Sequence, residues 1–468
     1  MMLRGMMARL LVETPPGYRP EREYITKLFF EEFLGLEWDL KEAERRDVRL
    51  AVQGLPGEIL LPDQLFCIPL SEWLRSSSLP KTPLPFWDTR QLGFEVHTIE
   101  NLVPVIYGDS NFHIEVKEDL IRLPIDILGS AFFMLTRYEE ILLSDRDEYD
   151  RFPAKASLAF QEGFLERPIV DEYVEILWAC MKRLWPGLER NQRSYQIFLS
   201  HDVDSPISAV NKSWRLVLHY AAGDIVKRHD VQLAIRRIVA KCLGSYDVDP
   251  FNTFNFIMDL SERYGLKSAF YFKAGSTNSR LNEEYSLEMP FVRTLMLQVH
   301  ERGHEIGLHP SLGAHKDVRR LRTEFELLLD TAERLNIKQE RWGARQHYLL
   351  WKNPGTWQNW EDVGLDYDAT LSFADHVGFR CGTCNEIPVF DLMARRTLHL
   401  RERPLIAMDS TLFHYMALRP AQVLGCIERL SNVIRSFGGT FSLLWHNTSV
   451  AQSWQKQFYL EVLEVLSK

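Results

Sequence analysis

From Gln196 onward the chain alternates short apolar runs that end in polar residues with segments of helical periodicity. No other feature constrains the fold as strongly. The runs are QIFLSHDVD, KSAFYFK, HEIGLHPS, RWGARQHY, YDATLSF, PLIAMDS and TFSLLWHNT, and helical stretches such as PFVRTLMLQVHERG, VRRLRTEFELLLDTAERLN and TWQNWEDVG separate them. Strands alternating with helices imply βαβ units around a parallel sheet or barrel. In such folds the chemistry gathers at the C-terminal ends of the strands. The polar endings of these runs fall there.

With 468 residues, the chain exceeds what one core ordinarily fills, so two domains are expected, 1–190 and 191–468. The first unit opens on an amphipathic helical stretch, ITKLFFEEFLGLEW. Strand-like runs VRLAV, EILLP and FCIPL follow, then the helix AFFMLTRYEEILL. The unit closes on VDEYVEILWACMKRLW, stopped by Pro186 and Gly187. The charges in LTRYEEILLSDRDEYDRF read as a solvated helix end with local ion pairs. An insertion at about 206–262 carries the basic, helical SWRLVLHYAAGDIVKRHDVQLAIRRIVAKCL. It is read as a solvated amphipathic helix pair, with a cap over the site or a surface for an acidic partner as alternatives.

A formal net charge of −9 argues against nucleic acid as a partner, because phosphate binding needs a basic surface. No run reaches the roughly 18 apolar residues of a transmembrane helix. The opening MMLRGMMARLLVETPPGYRP lacks a sustained apolar core and a cleavage site, so a cytoplasmic location is expected. Six cysteines in so long a chain do not make a disulfide framework. The isolated pair Cys381 and Cys384 reads as loop or core packing.

Four strand ends carry the candidate chemistry. Asp202 and Asp204 in SHDVD lie two apart and so face the same side of a strand. Paired carboxylates repel, which a bound cation on one, with the other kept as a base, would justify. His309 stands at the tip of GHEIGLHPS, while His304 falls on the opposite face. Arg345 and His347 in RWGARQHY share a phase, and an Arg beside a carboxylate keeps it ionised. His446 ends the buried strand FSLLWHN.

In this order the motifs resemble the NodB-type polysaccharide deacetylases, carbohydrate esterase family 4, over roughly residues 195–468. The resemblance implies an α/β fold: a C-terminal partial (β/α) barrel preceded by a smaller mixed α+β domain. It also implies Asp202 as catalytic base, Asp204 and His309 as metal ligands, and His446 as general acid. The family's RxPY motif is similar to Arg345-Gln346-His347-Tyr348, with His in place of Pro. The HxxxH motif is broken, since Gly313 stands where the second His is expected. His347 is the preferred substitute; His315 or no third protein ligand are the alternatives. Asp409 in LIAMDST is expected to orient His446. A divalent metal, zinc by expectation, and a carbohydrate substrate follow from the resemblance, as does removal of an N-acyl group from an amino sugar of a surface-polysaccharide precursor, free, nucleotide-linked or lipid-linked. A metal-free C–N hydrolase acting on a cyclic amide or ureide, or an inert sugar-binding homologue, are the rival readings.

Overall fold

The computed structural model describes residues 9–109, 113–275 and 285–468. The first eight residues of the stretch examined for an export signal therefore lie outside the described residues. Two sheets, each with its own hydrophobic cluster, organise the chain.

The first is a six-stranded mixed sheet in the order Glu37–Glu42, Arg9–Thr14, Asp47–Val52, Glu58–Pro62, Leu120–Arg122 and Glu115–Val116. The helices Ile127–Leu135 and Ile169–Leu184 are buried in its cluster. Two sequence expectations change here. FCIPL forms a short 3-10 turn, Leu65–Cys67, not a strand. Backbone N–H groups of Gln64 and Leu65 donate to Asp126 Oδ2, a bond pattern that competes with a strand ladder. ITKLFFEEFLGLEW runs from an α-helix into a π-helical stretch, Lys27–Phe33, that buries Phe29 and Phe30.

The second sheet has nine strands in the order Ile387–Asp391, Arg396–Glu402, Tyr367–Asp368, Gly343–Ala344, Glu305–Leu308, Ser268–Phe272, Gln196–Val203, Thr440–Leu444 and Ala407–Met408. All neighbours pair in parallel except the first two, which form an antiparallel hairpin. The sheet is open, with an edge at each end. Its central strands are apolar on both faces, as a parallel sheet covered by helices requires. Three of the predicted strands are only two residues long, because RWGARQHY, YDATLSF and PLIAMDS leave the ladder as soon as their polar ends begin.

The two sheets share their packing. Phe373, Ile387, Phe390 and Leu392 belong to the first cluster although they lie far along the chain. Arg380 donates to both oxygens of Glu140, and Arg137 donates to Glu139 and Glu140; all four side chains are buried. The helix end read as solvated is thus a buried ion network joining the halves, and the local pairs expected there, Arg137 with Glu139 and Glu140 and Arg151 with Asp147, are formed by buried arginines. Cys381 and Cys384 are buried in the same seam, where Val170 N–H donates to the Gly382 carbonyl and Cys384 N–H to Asp171. Burial pushes the Cys381 thiol up to about 12 and holds the Cys384 thiol well above its ordinary value, which suits packing and not redox chemistry.

The insertion forms a hairpin of helices Trp214–Val226 and Val231–Leu243. Its outer face is not the polar, solvated one expected. Trp214, Leu218, Ile225, Val231, Ile235 and Leu243 stand exposed on it.

Candidate active site

Strand register sets the floor of the site. Val203 pairs with Phe272, Phe272 with Leu308, and Leu308 with Ala344. The next residue on each strand is therefore Asp204, Lys273, His309 and Arg345, and these four emerge in a row at the C-terminal edge of the sheet. On the other side Leu444 pairs with Ser200 and Met408 with Leu444, which brings His446 and Asp409 to the same edge. A cleft of about 380 Å³ opens above, lined by Asp202, Asp204, Lys273, His309, His347 and His446 among others.

Asp202 lies beneath the cleft, 3% exposed. Arg345 Nη1 donates to its Oδ1 at 3.0 Å; Nη2 donates to Ser200 Oγ and Nε to the Ala369 carbonyl. The guanidinium is fully buried, 4.7 Å above the Tyr271 ring centre. The bonds to Ser200 and Ala369 hold the guanidinium in place, and the one to Asp202 orients the carboxylate.

Asp204, His309 and His347 each present one donor atom, and these lie within 4.8 Å of one another. His309 Nδ1 is 2.8 Å from the Arg345 carbonyl, so it carries the proton. Its Nε2 then points a lone pair into the site, buried and without a hydrogen-bond partner. A histidine fixed in this way is set up as a ligand. His347 Nε2 lies 3.3 Å from Asp204 Oδ1, and burial pushes this imidazole down to about 4, which keeps it neutral. These residues suit a divalent cation in donor type, spacing and protonation state.

Among the described residues no partner fixes the tautomer of His347. Its Nδ1 is buried with no hydrogen bond, and the ring packs 4.4 Å from that of Tyr348. The route by which it arrives also differs. The strand ends at Ala344, and His347 reaches the site from a 3-10 turn, His347–Leu349, so shared strand phase with Arg345 is not the reason the two converge. His315 sits in another turn, Ala314–Lys316, and does not line the cleft. Gly313 has φ +94°, a backbone conformation that disfavours the histidine expected there.

On the far wall His446 Nδ1 lies 2.7 Å from Asp409 Oδ1, while Asp409 Oδ2 accepts the His446 backbone N–H. Burial alone would push this imidazole down. The charge and hydrogen bond of Asp409, helped by Asp204 and Asp202, override it and raise the pKa to about 10. His446 Nε2, 3.6 Å from Asp204 Oδ2, faces the cleft.

Two lining groups escaped the sequence reading. Lys273 is buried, its Nζ 2.8 Å from Asp204 Oδ1. Burial works against the Asp204 anion, yet Lys273 and then the two histidines outweigh it and hold its carboxyl well below the usual range. The hint lay in KSAFYFK, an apolar run that ends in a cation. Arg151 comes from the N-terminal half and donates to the Tyr348 carbonyl and the Tyr415 hydroxyl, closing one side of the cleft.

Comparison with known proteins gives three findings. A model described as a family of unknown function (DUF7033) matches residues 10–186. A search of curated proteins gave no match. Among solved structures the chain is similar to one described as "putative polysaccharide deacetylase from Mycobacterium smegmatis", with 15% identity, a TM-score of 0.38, and coverage of 59% of this chain and 85% of that one.

Proposed function

We propose that the chain hydrolyses an N-acyl group, with N-acetyl as the expected case, from an amino sugar. The observation that carries this reading is one cleft in which a carboxylate held by Arg345 and an imidazolium held by Asp409 flank the three-donor group Asp204, His309 and His347. A divalent cation, zinc by expectation, would be held by those three and would polarise the amide carbonyl and acidify a water. Asp202 takes the proton of the attacking water as its oxygen bonds to the carbonyl carbon. His446 gives its Nε2 proton to the nitrogen as the C–N bond breaks. Acetate and a free amine leave.

The test is release of acetate from N-acetylated amino sugars by the purified protein, abolished by chelation and restored by zinc. Absence of release across free, nucleotide-linked and lipid-linked donors would overturn the reading. Alongside it, His347→Ala is expected to weaken zinc affinity at least about tenfold, the lower bound for disturbing a supporting contact, while His315→Ala leaves it near the parental value. Zinc titration of the two variants checks this; equal affinities for His347→Ala and the parent remove His347 from the ligand set.

Lys273 favours a second reading, a metal-free C–N hydrolase in which its ammonium supplies the positive charge beside Asp204. One variant separates the two. If a cation binds, Lys273→Met is expected to tighten zinc binding about tenfold, because a like charge a few Å away is removed. If the ammonium itself serves, Lys273→Met abolishes turnover and leaves metal content unchanged.

A further inference from the structure

The helical hairpin 214–243 departs from the rest of the molecule in two respects at once. Of the 19 large apolar residues that stand exposed among those described, eight lie on it. In a chain of net charge −9, residues 211–245 carry seven Lys and Arg against only Asp224 and Asp230, a net +5.

Helical phase puts these features on one surface. In the first helix Val217, Ala221 and Asp224 are buried, whereas Trp214, Leu218 and Ile225 follow each other at helical spacing on the outer side. In the second helix Leu233, Ala234, Arg237 and Ala240 turn inward, whereas Val231, Ile235 and Leu243 turn outward. Arg237 Nε donates to Asp224 Oδ2 across the pair, which fixes their relative rotation while both apolar stripes stay exposed. Arg215 stands exposed beside Trp214, and Lys227 and Arg228 stand exposed at the turn between the helices. An apolar stripe fringed by cations is the pattern of a helix that lies in a lipid interface.

The hairpin is also fastened to the mouth of the cleft. It leaves the sheet just after Asp204 and returns before Ser268–Phe272. Arg236 donates to the Ala451 carbonyl and Gln452 to Asp230, so the second helix and its N-cap are tied to the loop that follows His446. Asn447, next to His446, donates to the Ser205 and Phe251 carbonyls at the two feet of the insertion.

We infer that this hairpin seats the protein on an anionic phospholipid surface, and that the amino sugar presented to the cleft is lipid-linked; the second half of that statement rests on the proposed function, the first does not. The apolar stripes enter the boundary between headgroups and acyl chains, and the basic residues meet anionic headgroups. Because the stripes belong to the active-site end of the sheet, seating them carries the cleft to the membrane.

The test is flotation of the full chain with vesicles of mixed phosphatidylcholine and phosphatidylglycerol, and with phosphatidylcholine alone. Binding is expected on the mixed vesicles, with a decline as salt rises. Leu218→Glu combined with Ile235→Glu is expected to weaken it about tenfold or more, with helix content by circular dichroism and acetate release from a water-soluble donor both unchanged. No flotation by the parent, equal flotation by the double variant, or equal binding to neutral vesicles each overturns the inference. So does a dimer in light scattering that the double variant dissociates, since the face would then be occupied by a second copy. Vesicle binding without acetate release from any donor would leave the docking intact and sink the hydrolase reading instead.

Discussion

Asp202→Asn is expected to lower turnover by about 10²–10⁴-fold, the usual cost of losing a proton-transfer group, while zinc content stays at the parental level. The substitution is chosen for what it preserves. Arg345 is fully buried and gives one of its bonds to Asp202 Oδ1. An asparagine keeps a carbonyl oxygen there, so the guanidinium retains a hydrogen-bond acceptor of the same shape although it loses its counter-charge. What disappears is the capacity to accept the water proton, because an amide oxygen is a far weaker base than a carboxylate. Alanine at the same position would confound the two effects. Single-turnover acetate release and metal analysis on the same preparation check the prediction. Near-parental turnover in Asp202→Asn would make this residue structural and require another base in the cleft.

The second large effect is expected at Asp409, a positioning residue that acts through His446. Both of its oxygens are engaged by His446, one at the ring and one at the backbone N–H. Asp409→Asn keeps the shape and loses the charge that holds the imidazole protonated. Turnover should fall about 10²-fold or more. The pH profile carries the distinguishing sign. In the parent, His446 remains an acid through neutral pH, since its value lies at about 10. Without the Asp409 charge the value drops, so the alkaline decline of activity moves to lower pH. A uniform loss at all pH values, with no displacement of that limb, would assign Asp409 to packing alone.

How legible the site was in the sequence depended on how local each cause is. Asp202, Asp204, His309 and His446 could be picked out because each interrupts an apolar run at its end, and a parallel strand buried on both faces has no other use for a charge there. His347 was chosen for a strand phase that does not exist at that point, since Gly343–Ala344 is the whole strand. Its position depends on a turn whose Tyr348 has φ 60°, which no periodicity reveals. Lys273 is not singled out by its own run, because its meaning comes from lying beside Asp204 on the neighbouring strand. Arg151 was beyond local reading altogether, as it meets Tyr348 and Tyr415 across 197 and 264 residues of chain. The same holds for Glu140, read as solvated because nothing near it in sequence announces Arg380.

That last pairing sets the terms on which this chain can change. Glu140 and Arg380 are buried on opposite sides of the seam, and the hydrophobic cluster of the first sheet is completed by Phe373, Ile387, Phe390 and Leu392 from the second. A half inherited alone would lose the Glu140–Arg380 pair and carry an open apolar wall. Exchange of either half for another is therefore viable only where the residues of the seam are exchanged with it.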